Sequence, residues 1–178
     1  MTKALLALSA AIFAVYSVPV SAGQPSSTET VEVTEGGNAV GAAALVRKKQ
    51  SASFRINTTM LDPNSAYTIW VAAFNNPEDC LGECDGPDIP LTDGSLFFGS
   101  AFVTGIAGTA NVEFDILAGN LPEGTNVAAG QDKGINRGNG FKVELHLVIA
   151  QHGPSSDILD WPFELSSPGP AEQVALFK

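Results

Sequence analysis

The sequence predicts an all-β domain, an antiparallel β-sandwich or small barrel of about seven to nine strands, on three features. Short apolar runs alternate with polar residues, 18 Gly and 11 Pro punctuate them at close intervals, and no internal repeat or coiled-coil heptad appears. In the first run Val31 and Val33 alternate with Glu32 and Thr34. Ala39 to Val46 comes next; its four alanines would also suit a short helix, but Gly37 and Gly41 argue for a strand. Phe54 and Ile56 then alternate with Arg55 and Asn57.

Ala66 to Phe74 is the strongest run. Tyr67, Ile69, Val71 and Ala73 take one face and Trp70, Ala72 and Phe74 the other, so this strand is expected to be central. Leu96 to Val103 and Thr109 to Leu117 read as a pair turned at Gly105-Ile106-Ala107-Gly108. The second keeps Val112, Phe114 and Ile116 on one side and Asn111, Glu113 and Asp115 on the other. Phe141 to Ala150 follows the same rule, with Phe141, Val143, Leu145, Leu147 and Ile149 inward and Lys142, Glu144, His146 and Val148 outward. Further strands are expected around Trp161 to Leu165 and at Val174 to Phe177.

At the N-terminus, Lys3 precedes an apolar stretch from Ala4 to Val20, and Val18-Pro19-Val20-Ser21-Ala22 places small residues before Gly23. That pattern reads as a signal peptide over residues 1–22, cleaved after Ala22. As a membrane span the stretch is short, at about 17 residues, and is interrupted by Pro19. Residues 23–29, rich in Gln, Pro, Ser and Thr, read as a flexible lead-in, with a single β-sandwich domain over residues 30–178. The expected product is secreted or periplasmic, has no membrane span in its mature chain, and keeps 178 − 22 = 156 residues, enough for one buried core.

Removing Lys3 leaves 19 acids against 8 bases, a formal charge of −11. On that balance nucleic acid is not expected as a partner, and anionic membrane surfaces are poor ones. The charge is also segregated: no Lys or Arg lies between Arg55 and Lys133, whereas eleven acids do. This reads first as a solvated acidic face that favours solubility.

Six of those acids (Glu78, Asp79, Glu83, Asp85, Asp88, Asp93) share the Glu78 to Asp93 segment with Cys80 and Cys84, the two cysteines of the chain. In an exported protein a Cys80–Cys84 disulfide is the expectation. Closing so short a loop would contribute about 2 kcal/mol, so its task is local. Redox activity fits poorly, because three residues separate the cysteines and nearby acids raise a thiol pKa. Crowded carboxylates also suggest calcium held by Glu78, Asp79, Glu83, Asp85 and Asp88, with Asn75, Asn76 or backbone carbonyls completing the shell, although no EF-hand pattern is present. No other cofactor is expected.

Two further loops emerge between the strands. Arg47-Lys48-Lys49-Gln50 reads as a hairpin tip with solvated charge, and the Gly- and Asn-rich stretch from Asn120 to Gly140 fits neither a phosphate-binding nor a calcium loop. The histidines, His146 and His152, share strand parity but would stand roughly 20 Å apart on one continuous strand, too far to ligate one ion. His146 reads as a cross-strand partner for a carboxylate or hydroxyl, and His152 as the start of a turn that could contact a ligand. Catalytic signatures are lacking: there is no Gly-x-Ser-x-Gly elbow, no His-Glu-x-x-His helix and no dinucleotide fingerprint.

Several motifs together resemble a family of uncharacterised exported bacterial β-rich proteins. They are Asn57-Thr58-Thr59 with Leu61-Asp62-Pro63, Ala66-Tyr67-Thr68-Ile69-Trp70, Phe74-Asn75-Asn76-Pro77, the Cys80 and Cys84 pair, Glu144-Leu145-His146-Leu147-Val148 and His152-Gly153-Pro154. The resemblance covers roughly residues 50 to 156. It implies an exported β-rich domain with the Cys pair bridged and lends weight to His146 and His152, but it carries no substrate, cofactor or mechanism. The reading that results is an exported, non-catalytic binding or structural module for an extracytoplasmic ligand or protein, with Asn75, Asn76, His146 and His152 as its candidate ligand surface. The alternatives are a calcium-dependent module built on the acidic Cys loop and a secreted hydrolase of unknown class around His152.

Overall fold

The computed structural model describes residues 26–34, 36–130, 132–158, 165 and 167–178. Nine antiparallel strands carry the fold: β1 (Ser26–Val33), β2 (Ala39–Lys48), β3 (Ser51–Thr58), β4 (Ser65–Phe74), β5 (Ser95–Val103), β6 (Ala110–Leu117), β7 (Val127–Gly130), β8 (Glu144–Pro154) and β9 (Ala171–Phe177). Their hydrogen-bonded order is β6-β3-β2-β1-β9-β8-β4-β5-β7. Two single turns of 3-10 helix, Pro77–Asp79 and Gly86–Asp88, lie between β4 and β5. No helix among the described residues is long and apolar enough to cross a membrane. The expected signal peptide and the segment around Trp161 lie outside the described residues.

The sheet is joined unevenly, and that shapes it. β1 pairs with β2 over most of its length but meets β9 only at Glu32↔Val174 and Val33↔Gln173. A half made of β6, β3, β2 and β1 therefore curls to face a half made of β9, β8, β4, β5 and β7, with side chains from both filling the space between. Leu45, Phe54 and Ile56 from the first half pack with Tyr67, Ile69, Leu147 and Phe177 from the second. Phe54 stacks on Phe114 with ring centroids 5.0 Å apart and meets Phe177 edge-on at 5.9 Å.

Two connections cross from one half to the other at the same end, residues 59–64 between β3 and β4 and residues 104–109 between β5 and β6. They are bound together: the Leu61 N–H donates to the Gly108 carbonyl (3.0 Å), and the Thr104 hydroxyl donates to the Asp62 carbonyl (2.5 Å). Gly108 has φ +60°, and a Cβ there would lie 2.1 Å from the Leu61 carbonyl oxygen, so the crossing requires glycine. This corrects the expectation that residues 96–103 and 109–117 are hydrogen-bonded neighbours. β5 pairs with β4 and β7, while β6 pairs with β3, where Phe114 comes opposite Phe54 and Val112 opposite Ile56. A glycine-bounded turn reads alike in sequence whether it closes a hairpin or crosses between halves.

Other differences have local causes. β1 starts at Ser26 rather than Thr30, because Ser26 to Glu29 find ladder partners in Val46 to Ala43 of β2. β7 spans four residues, too few for alternation to show, and pairs with Ser95 to Phe97. β8 begins at Glu144, so Phe141, expected to face inward, lies before the strand and is 48% exposed; the strand runs on to Pro154, so His152 lies within it rather than at a turn. Its ladder with β4 reaches Ser65↔Pro154 past a register shift at Ala66/Tyr67.

The turn between β2 and β3 confines solvated charge to Lys48 and Lys49, since Arg47 is only 7% exposed. Its guanidinium donates to the Val143 carbonyl and, at 3.1 Å, to the Phe177 carbonyl. The expected solvated hairpin tip is corrected to this extent: alternation puts Arg47 on the inward face of β2, where it ties the start of β8 and the end of β9 to the opposite half. Burial draws its pKa below the ordinary arginine value, against the raising effect of the Glu144 carboxylate. Arg47→Ala should leave two buried carbonyls unpaired and cost roughly 3 kcal/mol, read as a lower urea midpoint at unchanged slope.

Candidate functional site

All ten residues of β4 are buried. Its inner face joins the main core, so its outer face must be covered by chain from elsewhere. Near the C-terminal end Ala72 and Phe74 pack with Cys84 and Ile89, flanked by Cys80, Leu96 and Ala129. In the middle Trp70 meets Phe98 edge-on at 6.2 Å, and at the start Ala66 lies beneath Ile158 and Leu165. Most of the polar residues singled out in the sequence serve these two covers.

The Cys80–Cys84 disulfide is formed, with sulfurs 1.98 Å apart and Cα atoms 5.2 Å apart. It presents an apolar surface to Phe74 instead of a reactive thiol. Asp88, 3% exposed, accepts from the N–H groups of Asp85 (3.1 Å) and Leu81 (3.4 Å), so its carboxylate is spent on holding the loop's own backbone. Glu78, Asp79, Glu83 and Asp85 are exposed, and Glu83 pairs with Lys178 at 2.8 Å. That contact lowers the Glu83 pKa and raises that of Lys178. Among the described residues no three His, Cys, Asp or Glu side chains converge as metal ligands.

Asn75 is buried and joins three segments. Its amide donates to the carbonyls of Asp93 (2.8 Å) and Gly134 (2.9 Å), its side-chain oxygen accepts from the Asn136 N–H (2.8 Å), and its own carbonyl accepts from the Asn139 amide. Asn76 donates to the Thr92 carbonyl through both its backbone N–H (3.0 Å) and its amide (3.3 Å), and its own carbonyl accepts from the Asp79 N–H (3.0 Å). Asn136 in turn donates to Asp93 (2.7 Å), and Lys133 lies 3.8 Å from the same carboxylate. The acidic loop and the Gly- and Asn-rich loop thus meet at the end of β4, with Asn75 as a structural pin.

The histidines are separated, as their spacing requires. His146 is 9% exposed beneath the Cys loop, its ring 4.8 Å from that of Phe74, and its Nε2 lies 2.6 Å from Glu144 Oε1. The expected cross-strand partner is therefore a carboxylate two residues back on the same strand, because the cover over β4 also closes over β8 there. His152 is half-buried toward the far end of β8, with Nε2 2.9 Å from Thr68 Oγ1, which also accepts from Trp70 Nε1 at 2.9 Å. Thr68 is fully buried, so its hydroxyl orients groups within the cover and presents nothing to a substrate.

Two features were not visible in the sequence. The first is a polar cluster where the crossovers seal the barrel end. Tyr67 accepts from the Asp62 N–H (2.8 Å) and donates to Glu172 (3.3 Å), while Gln151 donates to Asp62 (2.7 Å) and to the Tyr67 oxygen (3.3 Å). Burial pushes the Tyr67 phenol up to about 12, helped by the Glu172 and Asp62 carboxylates and opposed by the hydrogen bonds it accepts. Burial likewise raises the Glu172 pKa. These residues come from three strands and a crossover, so no local motif announces them.

The second is an open seam between β5 and β6, which share no ladder. The Ala118 N–H donates to the Gln50 carbonyl, so alternate residues of β6 bond to β3 and the backbone groups of Asn111, Glu113, Asp115 and Leu117 turn to the seam. On β5 the Thr104 N–H to Ser65 bond sets the opposite parity, turning Ala101 and Val103 toward the same gap. A groove of about 390 Å³ opens there between Phe97 to Gly99, Asp115 to Leu117 and the connection at Leu121, Pro122 and Thr125. Leu117 at its rim is 73% exposed.

Two measurements check this account. A chain beginning at Gly23 carries Tyr67 as its only tyrosine. Native phenol pKa near 12 against about 10 when unfolded means stability is complete below pH ~10 and falls as pH rises toward 12. Absorbance of that chain at 295 nm should stay flat through pH 10 and rise only with alkaline unfolding or near pH 12. Replacing both cysteines by serine should cost about 2 kcal/mol and speed hydrogen exchange in the Cys loop before it does so in β2 or β3.

No family profile matches the chain, and comparison with curated proteins finds no relative. Among solved structures there is similarity to an SOD-like protein from Bacillus subtilis, 15% identical, covering 85% of this chain and 97% of that one with a TM-score of 0.46. A singly substituted form of that protein is 16% identical, covering 84% and 95% with a TM-score of 0.41. A doubly substituted form has the same identity and coverage, 16%, 84% and 95%, with a TM-score of 0.39. These likenesses transfer no residue and no chemistry to this chain.

Proposed function

We propose that this chain is an exported, non-catalytic binding module whose ligand surface is the β5/β6 seam. The observation that carries the reading is the apolar groove of about 390 Å³ at that seam, flanked on one side by a β6 edge that pairs with no other strand among the described residues. Export is supported by the N-terminal pattern of Lys3, apolar core and small residues, and by the Cys80–Cys84 disulfide. The polar residues that the sequence nominated as a ligand surface support the same shift of site. Asn75 and His146 are buried pins of the β4 cover, and His152 is bonded to a buried threonine.

The neutral fluorophore N-phenyl-1-naphthylamine tests the groove. The folded chain from Gly23 should bind it saturably, and Leu117→Arg and Pro122→Glu, at exposed positions of the groove rim, should each weaken binding at least tenfold without altering the melt. Unsaturable binding, or equal binding by both variants and the parent, would overturn the reading.

A further inference from the structure

Resting on that reading, we infer that the seam takes an extended segment of another protein, added as a strand along β6, with apolar residues on its inner face and cationic residues on its outer face. Strand addition needs unpaired backbone donors and acceptors at regular intervals. β6 supplies them at Asn111, Glu113, Asp115 and Leu117, along the edge of the sheet. Below that edge the groove receives side chains among Phe97, Ile116 and Leu121, so the inward positions of the added strand are apolar.

The outward positions are set by charge. Successive residues of β6 alternate faces, so the acids Glu113 and Asp115 stand on the outer face beside any added strand. Glu113 is engaged by Arg55 of β3 at 2.6 Å; Asp115 lies opposite Ser53 and has no ion pair among the described residues. A lysine or arginine across from Asp115 would complete it. The same acids argue against a second copy of this chain, because two β6 edges brought together would set Glu113 and Asp115 against their own counterparts. Those carboxylates thus block self-pairing and select a basic segment.

Three capped octapeptides test this on the ¹⁵N-labelled chain from Gly23: alternating Lys and Val, alternating Glu and Val, and the Lys/Val peptide N-methylated at alternate residues. The Lys/Val peptide should protect the amides of Asn111, Glu113, Asp115 and Leu117 from exchange and bind at least tenfold more tightly than the other two. Asp115→Lys should reverse the preference in favour of the Glu/Val peptide. Equal affinity for all three peptides, or shifts confined to other strands, would overturn the inference. If the fluorophore still binds while no peptide does, strand addition is wrong and the groove reading stands; if neither binds, both fall.

Discussion

β4 offers apolar side chains on both faces, and the rest of the molecule is arranged around keeping both from water. The inner face is satisfied by curling the sheet on itself. Among the described residues the outer face meets no second sheet and is covered piecemeal, by the disulfide-pinned loop over Ala72 and Phe74 and by Ile158 and Leu165 over Ala66. Fully burying a side chain such as Phe74 is worth roughly 2–3 kcal/mol. That gain requires an acidic loop to lie on an apolar strand, which explains why the loop needs both a covalent staple and internal backbone caps such as Asp88.

Curling creates a second requirement, at the barrel ends. There the inward faces of strands run out, and backbone and polar side chains must find partners without a continuing ladder. At the crossover end Tyr67, Asp62, Gln151 and Glu172 bond one another, and buried Gln173 joins Thr58 (2.6 Å) to the Thr59 carbonyl (2.8 Å) across the two halves. At the opposite end Arg47 spans the gap to Val143 and Phe177. Since β1 and β9 share only two ladder pairs, these side-chain bridges fasten halves that the backbone joins weakly.

The strands were legible because burial imposes a period of two, and Phe54, Val71 or Leu147 can be placed by counting. Centrality of β4 was legible for a related reason, since only a doubly covered strand tolerates Trp70 and Phe74 opposite Tyr67 and Val71. The disulfide followed from cysteine count. Order of strands was not legible: the same alternation in β6 is satisfied by β3 or by β5, and only the inward packing of Phe114 on Phe54 decides. Nor could the sequence separate polar residues that face a ligand from those that fasten a cover. Asn75 and His146 are buried by chain distant from them, and the Tyr67 cluster draws on residues up to 110 positions apart, from Asp62 to Glu172.

The segregated charge acquires a structural sense from the same geometry. Bases from outside the acid-only stretch reach back to acids within it: Arg55 to Glu113, Lys133 to Asp93 and Lys178 to Glu83. Exposed pairs such as these add little to stability, so their significance lies in position. They anchor β3 to β6, one loop to another, and the C-terminus to the Cys loop. Asp115 receives no such partner among the described residues, and it stands beside a strand edge that pairs with no other described strand. An edge flanked by an acid resists pairing with its own kind, and on the reading proposed above the same charge favours a segment of opposite sign.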